Sequence, residues 1–423
     1  MSRMKLLVLS NEPLSKSTSN GRTMANLLSA FSPSELAQFY LHGTPDFSLC
    51  DNYYKVSDRD ALSAFTRIKP YRKSGVVASA EITKAQSVGS EKKHSHSCRN
   101  MVLRDIVWKS LRWWNCAFNE FLDAFAPDAV LLQAGDSPFM FRIARKISEK
   151  RKIPLLMYNS EAYVLKEVLY SSASKKDFWH RTLQNRLKKE YGRFMHKAAY
   201  CFYITEYMEA EYQAVYPHPG KSCALYTSSS MPLLEDHSGD VFRVVYCGNL
   251  GVGRLAPLCD VAQVLFAVNT EATLDIYGRF LSEEDEHALC SYPNVRYFGV
   301  VPYDEIPGIM SEASLLLHVE NKDRLENLRY AFSTKIADSL ASGRPFLVYA
   351  SREYPFVQYL AKHRAAHLAD QKEELKQALH LCMENESFLK EHTELAVLLA
   401  REKHDMRKNA ELLKTIVEGV IKV

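Results

Sequence analysis

The chain lacks any run approaching the roughly 18 consecutive apolar residues of a membrane-spanning helix, so no such helix is expected. It has no CxxC pair. Its nine cysteines (50, 98, 116, 201, 223, 247, 259, 290 and 382) are odd in number and far apart. That excludes a zinc ribbon and a disulfide framework, and it fits reduced thiols in a cytoplasmic chain. The first apolar stretch, Leu6-Leu7-Val8-Leu9, gives way at once to polar residues, so no secretory signal is expected. Glycine and proline are scarce, 16 of each in 423 residues, which excludes collagen-like and low-complexity classes. There is no repeat of fixed period. No Asp-x-Asp pair stands where a strand end would hold a divalent cation, so no metal is expected.

What is present is ordinary globular composition, 47% hydrophobic and 25% charged, enough for two domains of about 200 residues. The net charge of +4 hides an asymmetry. Residues 1–228 carry 33 Lys and Arg against 21 Asp and Glu, a net +12, and the remainder 21 against 29, a net −8. A basic half suits an anionic surface such as phospholipid or a phosphorylated lipid. The alternative is charge that is merely unevenly spread. No nucleic-acid-binding module is recognisable.

The first half opens with a strand-like run at 6–10 and a polar loop, NEPLSKSTSNGRT. Met24, Leu27, Leu28 and Phe31 then recur at helical spacing until Pro33. Residues 84–100 are polar and basic and read as a loop; His94 and His96 within it lack a third ligand nearby. Residues 101–125 read as one helix with Trp108, Trp113, Trp114, Phe118, Phe121 and Phe125 interleaved with Arg104, Lys109 and Arg112. Such a helix is either a core element or one that meets a membrane interface. Strands are predicted at 129–135, 155–158 and 200–205, with a helix at 138–150. That alternation is the unit of a parallel sheet. Residues 227–240 read as a linker. A second strand–helix series follows: a strand entering a glycine loop over 241–254, strands at 272–277, 295–298, 314–319 and 345–349, and helices at 256–269, 303–312 and near 333–342. The tail from 371 is helical.

Two clusters carry chemistry. Tyr246-Cys247-Gly248-Asn249-Leu250-Gly251-Val252-Gly253-Arg254 is a strand entering a glycine loop. Such a loop brings backbone N–H groups to a phosphate, and Arg254 could grip a diphosphate with two prongs. A plain strand-to-helix turn is the alternative. In the second cluster, Ser333 and Thr334 are good helix caps. A helix starting there aims its positive end, both hydroxyls and Lys335 at an anion. Asp338 falls one turn on, on the same face. The alternative is a surface ion pair of Lys335 with Asp338.

At these residues the chain resembles the GT-B glycosyltransferases, specifically the retaining family 4 branch. The resemblance runs through VVYCGNLGVGR (244–254), LDIYG (274–278), VRYFGVVPYDEIPGIMSEASLLL (295–317) and FSTKIADSLASGRPFLV (332–348). IPLLMYNSEAY (153–163) and YCFYITEYMEAEY (200–212) more loosely resemble bacterial enzymes of surface-polysaccharide synthesis. The resemblance implies an α/β chain of two doubly wound Rossmann-like domains facing a cleft. The first domain spans 1–228, on the acceptor side. The second spans 229–400 and binds the nucleotide sugar, and a helix in 401–423 crosses back to the first. It implies catalytic roles for Arg254, Lys335 and Glu161. It implies donor contacts from Gly21, Gly248, Asn249, Arg254, Gly299, Val300, Ser333, Thr334, Lys335 and Asp338, the last to the ribose. Asn20, Arg22 and Asn159 would face the acceptor. The reaction implied moves a sugar from a nucleoside-diphosphate sugar, a UDP-sugar foremost, to a glycan or polyprenyl-diphosphate-linked acceptor at the inner membrane face. It proceeds with retention, with neither metal nor cofactor.

The chain departs from the family pattern at Tyr330, where many members carry the first of two glutamates eight residues apart. Glu320 or Glu326 are candidates to replace it. The usual first-domain histidine has no counterpart, which directs attention to Asn159 and Glu161. Two other functions occupy the same architecture: a nucleotide-sugar 2-epimerase and a non-catalytic glycan-binding scaffold.

Overall fold

The computed structural model describes residues 4–16, 18–67, 75–78, 97–166, 177–217, 220–236, 239–251, 253–322 and 328–422. His94, His96 and Glu326 lie outside them. The chain forms two compact units. One comprises Met1–Tyr226 with Arg407–Val423, the other Thr227–Met406.

The first unit is built on eight strands: β1 (Leu6–Leu9), β2 (Leu36–Tyr40), β3 (Asn52–Lys55), β4 (Gly75–Val76), β5 (Ala129–Gln133), β6 (Leu155–Asn159), β7 (Ala198–Tyr203) and β8 (Lys221–Ala224). Their order is β4-β3-β2-β1-β5-β6-β7-β8, and only β4 runs antiparallel to its neighbour. Strands β1 and β5 are apolar on both faces because helices cover both sides of a parallel sheet. The register pairs Leu6–Leu9 with Leu36–Phe39 on one side and Ala129–Leu132 on the other. Strands β2, β3 and β8 lie in stretches where the sequence reading placed none.

The expected helix over 101–125 is instead two, Cys98–Lys109 and Cys116–Phe125. The break has a local cause. Leu111 adopts φ 53°, and the Asn115 side chain accepts a hydrogen bond from Phe118 N at 3.0 Å, starting a new helix. The kink drives Trp113 fully into the core against Phe39, Trp108 and Phe118. Trp108 stacks on Phe139 at 4.6 Å. Most of the aromatic run is therefore core. The helix Met406–Ile421 packs in this unit: Asn409 Nδ2 donates to Tyr226 O, and Lys414 Nζ donates to Ala30 O at 2.9 Å.

The second unit has six parallel strands: β9 (Arg243–Cys247), β10 (Thr273–Tyr277), β11 (Val295–Gly299), β12 (Leu315–Val319), β13 (Phe346–Tyr349) and β14 (His367–Ala369). Their order is β11-β10-β9-β12-β13-β14. The short edge strand β14 and the helix Pro355–His363 had no clear sequence signal. Val244, Tyr246, Leu265, Leu274, Leu315 and Leu347 centre one core.

The start of the expected linker is tied down. Ser229 N donates to His404 O, and Thr227 O accepts from His404 Nδ1 at 2.9 Å. A carbonyl can only accept, so Nδ1 carries the proton and Nε2 accepts from Tyr359 OH at 3.0 Å. Burial pushes the His404 imidazole down to about 4, which keeps it neutral in this role.

Candidate functional site

In an open parallel sheet, ligands bind beyond the carboxyl ends of the strands, where the crossovers part in opposite directions. In the second unit that point lies between β9 and β12. Strand β9 delivers Gly248 and the loop to Arg254; β12 delivers His318 and Glu320.

A side chain at Gly248 would displace the end of Lys335. A Cβ there would collide with Lys335 Nζ and stand 2.7 Å from its Cδ. The glycine thus admits the ammonium against bare backbone. Lys335 lies in the first turn of the helix Thr334–Ser342, whose cap is Ser333, accepting from Lys335 N at 3.3 Å. Its Nζ sits 5.1 Å from the Tyr246 ring centroid and 3.5 Å from the Tyr246 hydroxyl. Among the described residues it makes no salt bridge. Burial, reinforced by the charge of Arg254, brings its pKa down to about 8.

Arg254 is not free. Its Nε donates to Glu320 Oε2 at 3.0 Å and its Nη2 to Glu320 Oε1 at 2.6 Å, while Nη1 donates to Asn249 O at 3.2 Å. The two side chains are 11% and 5% exposed. Burial alone would raise the Glu320 carboxyl; His318 and the two-pronged bond from Arg254 outweigh it and hold it at about 2. His318 Nε2 stands 3.3 Å from Glu320 Oε1, and burial pushes the imidazole below its usual value. Two cations and one carboxylate therefore share the mouth of the sheet. The sequence reading named Arg254 and Lys335 but had no means to pair Arg254 with Glu320.

The remaining residues of the second unit divide. Asn249 is exposed, and its Oδ1 accepts from Gly251 N at 2.8 Å, shaping the loop. Gly299 has φ 75° with open space where a Cβ would be, and Val300 is 63% exposed. Beside them Phe298 stacks on Tyr277 at 4.7 Å. Ser333 and Thr334 are half-buried at the helix start. Asp338 is buried and does not pair with Lys335 in an exposed helix-surface bridge. Its Oδ1 accepts from Ser229 Oγ at 2.6 Å and its Oδ2 from Tyr303 OH at 3.2 Å. Ser229 and Tyr303 were invisible as partners in the sequence because 109 and 35 residues separate them from Asp338.

In the first unit, Asn20, Gly21 and Arg22 form the first turn of the helix Ser19–Leu27, which follows the loop after β1. Asn20 is exposed and Arg22 half-buried. Gly21 is buried, with Pro13 O 2.8 Å from where its Cβ would stand. Asn159, expected to face an acceptor, is fully buried at the end of β6. Its Nδ2 donates to Phe202 O and its Oδ1 accepts from Tyr191 OH, so it is a core residue that ties β6 to β7 and a helix. Glu161 is paired with Lys166.

Among the described residues, no group of three or more His, Cys, Asp or Glu could hold a metal ion. No described helix is long and apolar enough to cross a membrane.

No protein-family model and no curated protein matches the chain. Solved structures do. Sucrose-phosphate synthase from Thermosynechococcus elongatus is similar at a TM-score of 0.65 and 11% identity, over 99% of this chain and 100% of that one. Anabaena HepE in complex with UDP is similar at 0.64 and 11%, over 98% and 100%. HepE in complex with UDP-glucose is similar at 0.60, with the same identity and coverage. At such identities the likeness is one of fold. The chain has the fold of these proteins: two Rossmann-like α/β domains, the GT-B architecture.

Proposed function

We propose that the protein is a glycosyltransferase that takes a sugar from a nucleoside-diphosphate sugar, foremost a UDP-sugar, to a glycan or polyprenyl-diphosphate-linked acceptor at the inner membrane face. One observation carries this reading. Lys335 lies against the bare backbone of Gly248, beside Arg254, at the switch point of the second sheet and the start of a helix. As the glycosidic bond breaks, negative charge develops on the leaving diphosphate. Lys335, Arg254, the Ser333 and Thr334 hydroxyls and the helix N–H groups stabilise it without reorganising. Gly299 and Val300, at the end of β11, hold the base. HepE, of the same fold, binds UDP and UDP-glucose, which favours uridine.

On this reading transfer proceeds with retention and without a metal ion. The first unit holds the acceptor through Asn20, Arg22 and the half-buried part of the 160–166 loop, including Glu161. The protein then works as a hexosyltransferase of polysaccharide synthesis, in the cytoplasm and on the membrane surface.

A thermal-shift screen against UDP, GDP, dTDP, ADP and CMP, with and without Lys335→Ala, tests the donor site. The expected result is stabilisation by UDP in the wild type, lost in the variant. Equal stabilisation of both proteins would move the donor elsewhere. Turnover of the donor without acceptor change would favour the epimerase.

A further inference from the structure

Arg254 and Lys335 converge on one tyrosine: Lys335 Nζ lies 3.5 Å from the Tyr246 hydroxyl, which donates to Asn249 O, and that carbonyl also accepts from Arg254 Nη1, so the charge of Arg254 disfavours that of Lys335. What stands between them and mutual repulsion is Glu320. A guanidinium has five N–H donors. Three are committed, two of them through Nε and Nη2 to Glu320 and one through Nη1 to Asn249 O. Two remain, one on each terminal nitrogen. That is the number a two-pronged grip on a diphosphate needs. Glu320 itself has no freedom. It directly follows β12, is 4% exposed, and has His318 on its other side.

We propose that Glu320 is a positioning residue. It locks Arg254 by one edge so that the remaining two donors are presented to a diphosphate, and it offsets the repulsion between Arg254 and Lys335 while the site is empty. This rests on the diphosphate reading of the site but not on the base or the sugar. It also argues against Glu320 as a replacement for the sugar-binding glutamate missing at Tyr330, because it is buried and each of its oxygens already accepts from Arg254.

The sign of the effect separates this role from plain electrostatics. A carboxylate near an anion site repels the anion, so Glu320→Gln should tighten binding if charge alone mattered. Positioning requires the opposite. A released arginine must be ordered again on each binding event, which weakens binding by about threefold to tenfold. Glu320→Asp keeps the charge but withdraws it by one methylene, and it should weaken binding similarly.

The two variants part in their pH profiles. Lys335 faces Arg254, Glu320, His318, Cys247 and the Tyr246 hydroxyl. Losing the carboxylate in Gln removes a group that favours the ammonium. The pH above which binding fails then moves below its wild-type position, whereas Asp leaves it close to wild type.

The experiment is calorimetric titration of the full chain with inorganic pyrophosphate and then UDP, from pH 6.5 to 9.5, for wild type, Glu320→Gln and Glu320→Asp. Thermal melting of each variant confirms that it is folded. Weaker pyrophosphate binding in both variants, with the pH break lowered only in Gln, is the expected result. Three results would overturn the proposal: Gln binding as tightly as wild type or tighter, Asp binding like wild type, or a wild type that does not bind pyrophosphate. A wild type that binds pyrophosphate but not UDP would sink the uridine reading and leave the positioning role standing.

Discussion

The two units invert what their charges suggest. The first half of the chain has a net charge of +12 and the second −8, yet the two cations proposed to meet the diphosphate stand in the acidic half. The reason lies in where the arginines of the basic half are used. Arg142, Arg145, Arg186 and Arg193 surround Asp105 and Glu190, both nearly fully buried, and tie three helices together. Part of the basic excess is therefore internal structure rather than a surface awaiting a partner. In the second unit two cations, Arg254 and Lys335, sit at the switch point, Lys335 against bare backbone. On the proposed reading, placement within the sheet rather than net charge decides where the anion binds.

The comparison can be broken most directly through Lys335. With donor and acceptor identified, Lys335→Ala should lower the transfer rate by roughly 10²–10³ with the melting curve little changed. A variant that keeps its rate would remove the second unit's claim to the anion.

Asp105→Ala tests the other side. It leaves Arg186 without its buried partner while Arg142 keeps Glu190, and should destabilise the protein by about 1–3 kcal/mol. UDP affinity, measured on the folded variant, should not change. A loss of affinity instead would mean that the basic half contributes to the donor site after all.

A smaller effect concerns pH. The Lys335 pKa is depressed to about 8 from 10.5, so between these values the unfolded chain holds a proton that the folded one has lost. The cost of burying the charged ammonium is thus fully present below pH 8, and this contribution to stability improves as pH rises from 8 to 10.5. Binding runs the other way: affinity for UDP should fall above pH 8, by at most about tenfold per unit, with proton uptake on binding. Calorimetry in buffers of different ionisation enthalpy reads that proton directly. An affinity flat to pH 9.5 would show that Lys335 does not meet the diphosphate.

Much of the fold was legible because its signals are local. Short apolar runs bounded by glycine, proline or polar clusters marked β1, β5, β6, β7 and most of the second sheet. Ser333 before Thr334 and Lys335 announced a helix start through capping chemistry alone. The misreadings share a physical cause. Residues 101–125 keep an unbroken aromatic pattern across a break that Asn115 and Leu111 impose, and periodicity does not register a cap inside an apolar run. Strands β2, β3 and β14 depend on neighbours far along the chain. Asn159 looked like a polar residue at a strand end, where ligands bind. Only the packing of Tyr191 and the carbonyl of Phe202 turned it inward.

From its sequence alone, this protein's layered α/β class was determined, along with the glycine loop at 248–254 and the cationic helix start at 333–335. These follow from hydrophobic period, turn chemistry and capping, which act over a few residues. Tertiary structure alone decided that Glu320 grips Arg254, that Ser229 and Tyr303 occupy Asp338, and that Asn159 belongs to the core. Each is a pairing across tens of residues or more. A buried charge or amide takes the partner that folding brings within about 3 Å, and local sequence carries no record of that distance.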